Sequence, residues 1–123
     1  MGDNNAFRDI LKKRIYNWTV QLTIHLRSIS KKDSRFTESI IIQLLRSGTS
    51  VGANYVEAIG APTTKDFRRF LSYALKSCNE SKYWLALIRD THIDESKKHN
   101  DLLQEAIELA NILGKSVSTL YKQ

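Results

Sequence analysis

Lys65, Arg69 and Lys76 are spaced so that a helix carries all three on one side, and Lys12, Tyr16 and Arg27 are spaced in the same way. Cations at such intervals suit the neutralisation of nucleic-acid phosphates, with release of the counterions those phosphates hold. The first stripe also holds Ser72 and Tyr83 and is flanked by Arg68 and Asn79, with Glu80 the only nearby acid. The second also holds Thr23, with Lys13 beside it, and Lys31, Lys32 and Arg35 follow in a linking segment. Each stripe contains a tyrosine able to stack on a base. A charge run is also what a plain solvated face looks like, but here the charge is segregated: +5 over 1–35, −1 over 36–62, +3 over 63–93 and −1 over 94–123. No segment resembles a groove-reading motif, so backbone or shape is expected to be read rather than base sequence.

Other chemistry is sparse. Arg46, Asn54 and Glu57 share a polar strip with Gln43 and Ser50, and together with Glu80 they read as a structural polar network between helices or subunits. His25 falls on an apolar stripe and reads as a satisfied core histidine. His92 and His99 are seven residues apart beside Asp94, a poor metal spacing on the first turn of a helix. Arg14 points towards the core side and is expected to pair or snorkel. Cys78, the one cysteine, stands where a small apolar residue would and reads as inert; alone it can form no intramolecular disulfide. There is no phosphate-binding glycine loop, no Ser-His-Asp pattern and no carboxylate pair with a cleft to serve. The expectation is therefore no enzyme, no cofactor and no metal.

The elements that must position these residues follow from turn signals and periodicity. The chain has 123 residues, 41% of them hydrophobic and 26% charged, with net charge +6 and only one proline and five glycines. That suits one globular domain of long elements, not a sandwich or barrel with a turn every ~8–12 residues. Breakers cluster at Ser30–Ser34, Gly60–Thr63 and Asp90–Asp94. Between them, apolar residues recur at steps of three and four: Phe7, Leu11, Ile15, Trp18, Leu22, Leu26 and Ile29 in the first segment. The third has Phe67, Phe70/Leu71, Ala74, Cys78, Leu85 and Ile88, and the fourth Leu102, Ala106, Leu109, Leu113, Val117 and Leu120. The pattern predicts helices near 6–29, 37–60, 64–90 and 95–121, with short links and hence antiparallel neighbours: an all-α, up-down four-helix bundle. Thr37 is the expected cap of the second helix, with a Phe36–Ile41 staple; Thr63 with Asp66 forms a capping box; Asp94 caps the fourth; Gly60 provides a left-handed stop. No run is long enough to cross a membrane, MGDNNAFRDI has no signal-peptide core and no myristoylation signal, and the expected location is the cytoplasm.

The second helix is broadly apolar. Ile41, Leu45, Gly48, Gly52 and Ile59 share one face, and Ile40, Leu44, Val51, Tyr55 and Ala58 the next, together about 200° where a bundle helix buries ~100° or somewhat more. Ser47–Ala53 is mostly small side chains, and mid-helix glycine costs ~1 kcal/mol unless close packing compensates. A tightly packed core helix is one reading. The favoured one is a helix that also faces another subunit, through Leu44, Gly48, Val51, Gly52 and Tyr55.

Gln43-Leu44-Leu45-Arg46-Ser47-Gly48-Thr49-Ser50-Val51-Gly52-Ala53-Asn54, then Glu57-Ala58-Ile59-Gly60, resembles the signature of the bacterial four-helix-bundle family encoded in intervening sequences of large-subunit rRNA genes. That family is related to the accessory variability determinant (Avd) of diversity-generating retroelements. The resemblance continues through Lys65-Asp66-Phe67, Leu71, Ala74-Leu75-Lys76, Glu80 and Tyr83-Trp84-Leu85. It implies a homopentameric barrel without catalytic residues and, for the Avd branch, binding to RNA or RNA–DNA and to a reverse transcriptase. Val56, Ser77 and Asn79 depart from the charged residues common at those positions. The expected function is an oligomeric nucleic-acid-binding accessory protein. The alternatives are an intervening-sequence protein of unknown role and a protein–protein scaffold that binds no nucleic acid.

Overall fold

Leu11, Ile15, Trp18, Leu22, Leu26 and Ile29 form an unbroken buried stripe, because steps of three and four keep side chains on one face of a helix. The computed structural model describes residues 2–30 and 34–122, so Lys31, Lys32 and Asp33 of the first link lie outside the described residues. Four helices and no strand occur among the described residues: α1 (Gly2–Ile29), α2 (Arg35–Ile59), α3 (Thr64–Asp90) and α4 (Lys97–Tyr121). Each packs on its two neighbours in the order α1–α2–α3–α4 and back to α1; across the α1/α3 diagonal the backbones stay apart and the Arg8 guanidinium reaches the Phe67 ring, 4.7 Å from its centre. The short links at 60–63 and 91–96 force reversal of direction, giving the up-down bundle.

Inside, α3 contributes Leu71, Ala74, Cys78, Leu85 and Ile88, and α4 contributes Leu102, Ala106, Leu109 and Leu113. From α2 the core takes Leu44, Val51, Tyr55 and Ala58, while Leu45 of the other apolar face is exposed. The hydroxyls of Ser47 and Ser81 meet at 2.9 Å, buried between α2 and α3, where small side chains let the backbones approach. Phe7, at the start of the expected α1 stripe, is half exposed.

The helix ends depart from expectation in four places. Ser34, not Thr37, caps α2: its Oγ accepts the Thr37 N–H at 3.2 Å, and the buried Thr37 hydroxyl turns back onto Ser34. Phe36 is 83% exposed, so it forms no staple with Ile41. Ser96, not Asp94, caps α4 by accepting the His99 N–H at 3.2 Å, and Asp94 is drawn inward, where it accepts the Ser96 N–H at 2.9 Å. The Thr63 cap is as expected, accepting the Asp66 N–H at 3.1 Å.

Gly60 has φ −92° and makes no left-handed stop; that conformation falls on His92, at φ 63°. The Ile93 N–H donates to the Ile88 carbonyl and the His92 N–H to the Arg89 carbonyl, each at 3.0 Å, which is a Schellman ending with histidine where glycine is usual. Replacing His92 by glycine is therefore expected to stabilise the chain by ~1 kcal/mol, read as a higher urea midpoint.

Gly48 explains how closely α1 and α2 pack. A methyl group there would collide with Leu22, which is fully buried and has little room to turn, whereas at Gly52 it would stand 3.3 Å from Ile15. Gly48→Leu should cost ~1–3 kcal/mol or more through overpacking. Gly52→Ala should be close to neutral, since the gain in helix propensity offsets the adjustment of Ile15. Urea denaturation of the two variants ranks the sites; equal loss at both would contradict the assignment.

Candidate functional site

The cations singled out by the sequence divide between the outer faces of α1 and α3. On α3, Lys65, Arg69, Lys76 and Tyr83 are exposed opposite the core stripe of Leu71, Ala74 and Cys78, as helical geometry requires. Lys65 and Lys76 have no ion-pair partner among the described residues. Arg69 donates to Asp66 at 3.1 Å, and its guanidinium lies 4.9 Å from the Phe70 ring centre. Arg68 is folded away from the stripe, 5.7 Å over the Tyr121 ring, with its Nε buried and unbonded.

On α1, Lys12, Lys13, Tyr16 and Arg27 are all exposed. Lys12, Lys13 and Tyr16 rim a groove of about 920 Å³ between α1 and α2, whose other walls include Thr49, Gly52, Val56, Asp9 and Glu57. Because α1 and α3 stand diagonally, the two expected stripes form no single site within one chain.

Leu44, Val51 and Tyr55 are buried in the chain's own core, and Gly48 and Gly52 face α1 side chains of the same chain. The apolar surface that α2 leaves exposed is instead Ile42, Leu45 and Val56. The polar network is dispersed. Asn54 donates to the Ser50 carbonyl at 2.9 Å, and Glu80 accepts the Trp84 indole N–H at 3.1 Å. Arg46 and Glu57 are exposed without an ion pair among the described residues.

Polar groups do gather at the seam between α1 and α4. Arg14 donates through Nε and Nη2 to the two oxygens of Glu105, at 2.7 Å each, and reaches Glu108 at 3.5 Å. The hydrogen bond to Glu105 raises the guanidinium pKa further, against the effect of desolvation. One turn on, Trp18 Nε1–H donates to the Leu102 carbonyl at 3.0 Å. Two turns beyond that, His25 Nε2 lies 3.0 Å from His99 Nδ1, and His99 Nε2 lies 2.8 Å from the Leu85 carbonyl oxygen. Asp94 completes a buried cluster in which the potential ligand atoms of His25, Asp94 and His99 all lie within 4.8 Å of one another. The sequence groups His99 with His92, but His92 is exposed and faces Glu95 at 3.3 Å. The only sequence signal for the true partner is that His25 occupies a core position.

These features define a class: a small antiparallel helical bundle whose polar groups form surface stripes and ties between helices. A family model, 23S rRNA-intervening sequence protein, matches residues 12–115, and the chain belongs to that family. It is similar to a solved structure of a protein of unknown function from the S23 ribosomal protein family of Bacteroides thetaiotaomicron VPI-5482. The identity is 27% and the TM-score 0.80, over 90% of this chain and 97% of that one. No curated protein matches the chain. No helix among the described residues is long and apolar enough to cross a membrane.

Two buried acids make stability depend on pH. Burial pushes the Cys78 thiol, which donates to the Ala106 carbonyl at 3.3 Å, up to about 12. It pushes the Tyr55 phenol to about 12 as well. The unfolded chain loses these protons from about pH 8.5 and 10 upward, and the folded chain retains them until about 12. Rising pH therefore favours unfolding, by ~1.4 kcal/mol per unit for each group inside its window. Urea midpoints between about pH 7 and 11 should fall above about pH 9. Cys78→Ala should flatten the first part of that fall.

Proposed function

We propose that this chain is a non-enzymatic, self-assembling protein that binds RNA by its phosphates along the outer face of α3. The observation that carries the reading is the placement of Lys65, Arg69, Lys76 and Tyr83: exposed along α3 and diagonally across the bundle from the apolar α1–α2 side. On that far side Ile42, Leu45 and Val56 of α2, with Tyr16 and Ile24 of α1, are exposed large apolar residues. Copies of the chain that meet there leave α3 facing outward, and a closed ring repeats its cations once per subunit, so that weak contacts sum. Five is the copy number that the family resemblance implies. The α1 cations Lys12, Lys13 and Arg27 then flank the contact between copies. The family's description makes 23S rRNA the first polyanion to try. A reverse transcriptase partner rests on the Avd resemblance alone, and no residue of these surfaces adds to it.

The test is a fluorescence-anisotropy titration of the whole chain against a labelled, structured fragment of 23S rRNA, together with native mass measurement. Binding should weaken tenfold or more between about 50 and 200 mM salt. Reversal of Lys65, Arg69 and Lys76 to Glu should abolish it while the circular-dichroism spectrum is unchanged. Reversal of Lys97 and Lys98 on α4, where Lys97 is already paired to Asp101 at 2.8 Å, should do much less. Equal loss in both variants would mean diffuse electrostatics, and no binding at ~0.15 M salt would leave a scaffold without nucleic acid. A mass of one 14.1 kDa chain at micromolar concentration would overturn the assembly. Leu45→Glu with Val56→Glu should release monomers from it.

A further inference from the structure

We infer that His25, Asp94 and His99 form a site for a divalent transition-metal ion of the zinc class, buried where the α3–α4 link closes the seam between α1 and α4. Three separate elements bring these groups together: α1, the link and the first turn of α4. All three are buried, with 3%, 7% and 0% of their surfaces exposed. A position that needed only filling would be served at lower cost by apolar side chains, since each of these groups loses hydration on burial.

The arrangement is oriented as well as close. A carbonyl oxygen only accepts, so His99 Nε2, at 2.8 Å from Leu85 O, carries the proton, and Nδ1 presents its lone pair towards His25. Metal-binding histidines are held in this way, one nitrogen donating to a fixed acceptor and the other facing the ion. Asp94 is likewise held, one of its oxygens accepting the Ser96 N–H at 2.9 Å. Bonds of ~2.0–2.2 Å place the ligand atoms of one tetrahedral zinc roughly 3.3 Å apart. His25 Nε2 and His99 Nδ1 stand at 3.0 Å, and the whole set lies within 4.8 Å, so small side-chain movements bring the ligands onto an ion.

The protons balance. Without metal, His25 Nε2–H donates to His99 Nδ1; with metal, His25 carries that proton on Nδ1 and gives its Nε2 lone pair to the ion. The proton count of the pair is unchanged. Two imidazoles and a carboxylate favour zinc, cobalt, nickel or copper over magnesium or calcium, which take oxygen ligands. Bound there, the ion clamps α1 to the start of α4.

The whole chain, stripped with a chelator and then freed of it, is titrated with zinc chloride by calorimetry and with cobalt chloride by visible absorption. The expected result is one ion per chain at micromolar affinity or tighter. A cobalt d–d band of a low-coordinate site should appear, and the melting temperature should rise with zinc concentration. Asp94→Asn, which keeps an oxygen for the Ser96 N–H, should weaken zinc at least tenfold. His25→Gln and His99→Gln should remove the cobalt band. His92→Ala, on the exposed neighbour, should change nothing. A folded wild-type chain that gives neither heat with zinc nor a cobalt band overturns the site, whatever the variants do. So does loss of the signal in His92→Ala, which would put the ion on the surface with Glu95.

Discussion

Helix α1 is joined to α4 by a row of polar ties, and the closure of the bundle depends on them. Arg14, Trp18 and His25 recur along one edge of α1, and Glu105, Leu102 and His99 answer them in reverse order along α4. On its other side α1 meets α2 through shape, with Leu22 and Trp18 set against the bare backbone of Gly48. One contact sets distance and the other sets register. A slip of α1 by one turn would strand the Trp18 indole and the Arg14 guanidinium away from their acceptors, and partly buried donors without partners are costly.

Closure in this order also separates the surfaces. A helix in a four-membered ring packs along its length on its neighbours and not on the diagonal helix, so the outer faces of α1 and α3 point to opposite sides of the molecule. The exposed apolar residues Leu45 and Val56 of α2 and the cations of α3 therefore lie on different sides of the molecule. The charges differ in character too. Arg68 and Arg69 are engaged by Tyr121, Phe70 and Asp66, while Lys65 and Lys76 extend into solvent.

Much of this was legible in the sequence because it is local. Apolar residues at three- and four-residue steps give the buried faces of α3 and α4 almost residue by residue. The Thr63 cap is readable because Pro62 and Asp66 leave one choice. The α2 and α4 caps are not decided locally, because Ser34 competes with Thr37, and Ser96 with Asp94, within three residues, and all four side chains can cap. Small residues on α2 correctly implied close packing, but nothing local shows whether the packed neighbour belongs to the same chain; at Gly48 it does. The His25–His99 pair was beyond sequence reasoning. Its members are 74 positions apart, and only the closing of the ring makes them neighbours.

That separation bears on how the molecule assembles and opens. The α2–α3 and α3–α4 pairs are hairpins whose partners are close in sequence, whereas the α1–α4 seam joins positions as far as 91 apart. Loop closure over such a span costs more chain entropy than forming either hairpin, so the seam is the late event in folding. By the same reasoning it is the weakest edge of the native state, where α1 detaches before the α2–α3–α4 unit loses cooperativity. Amide hydrogens of α1 should exchange ahead of those in α3, and an ion held by α1 and α4 would act chiefly on that partial opening.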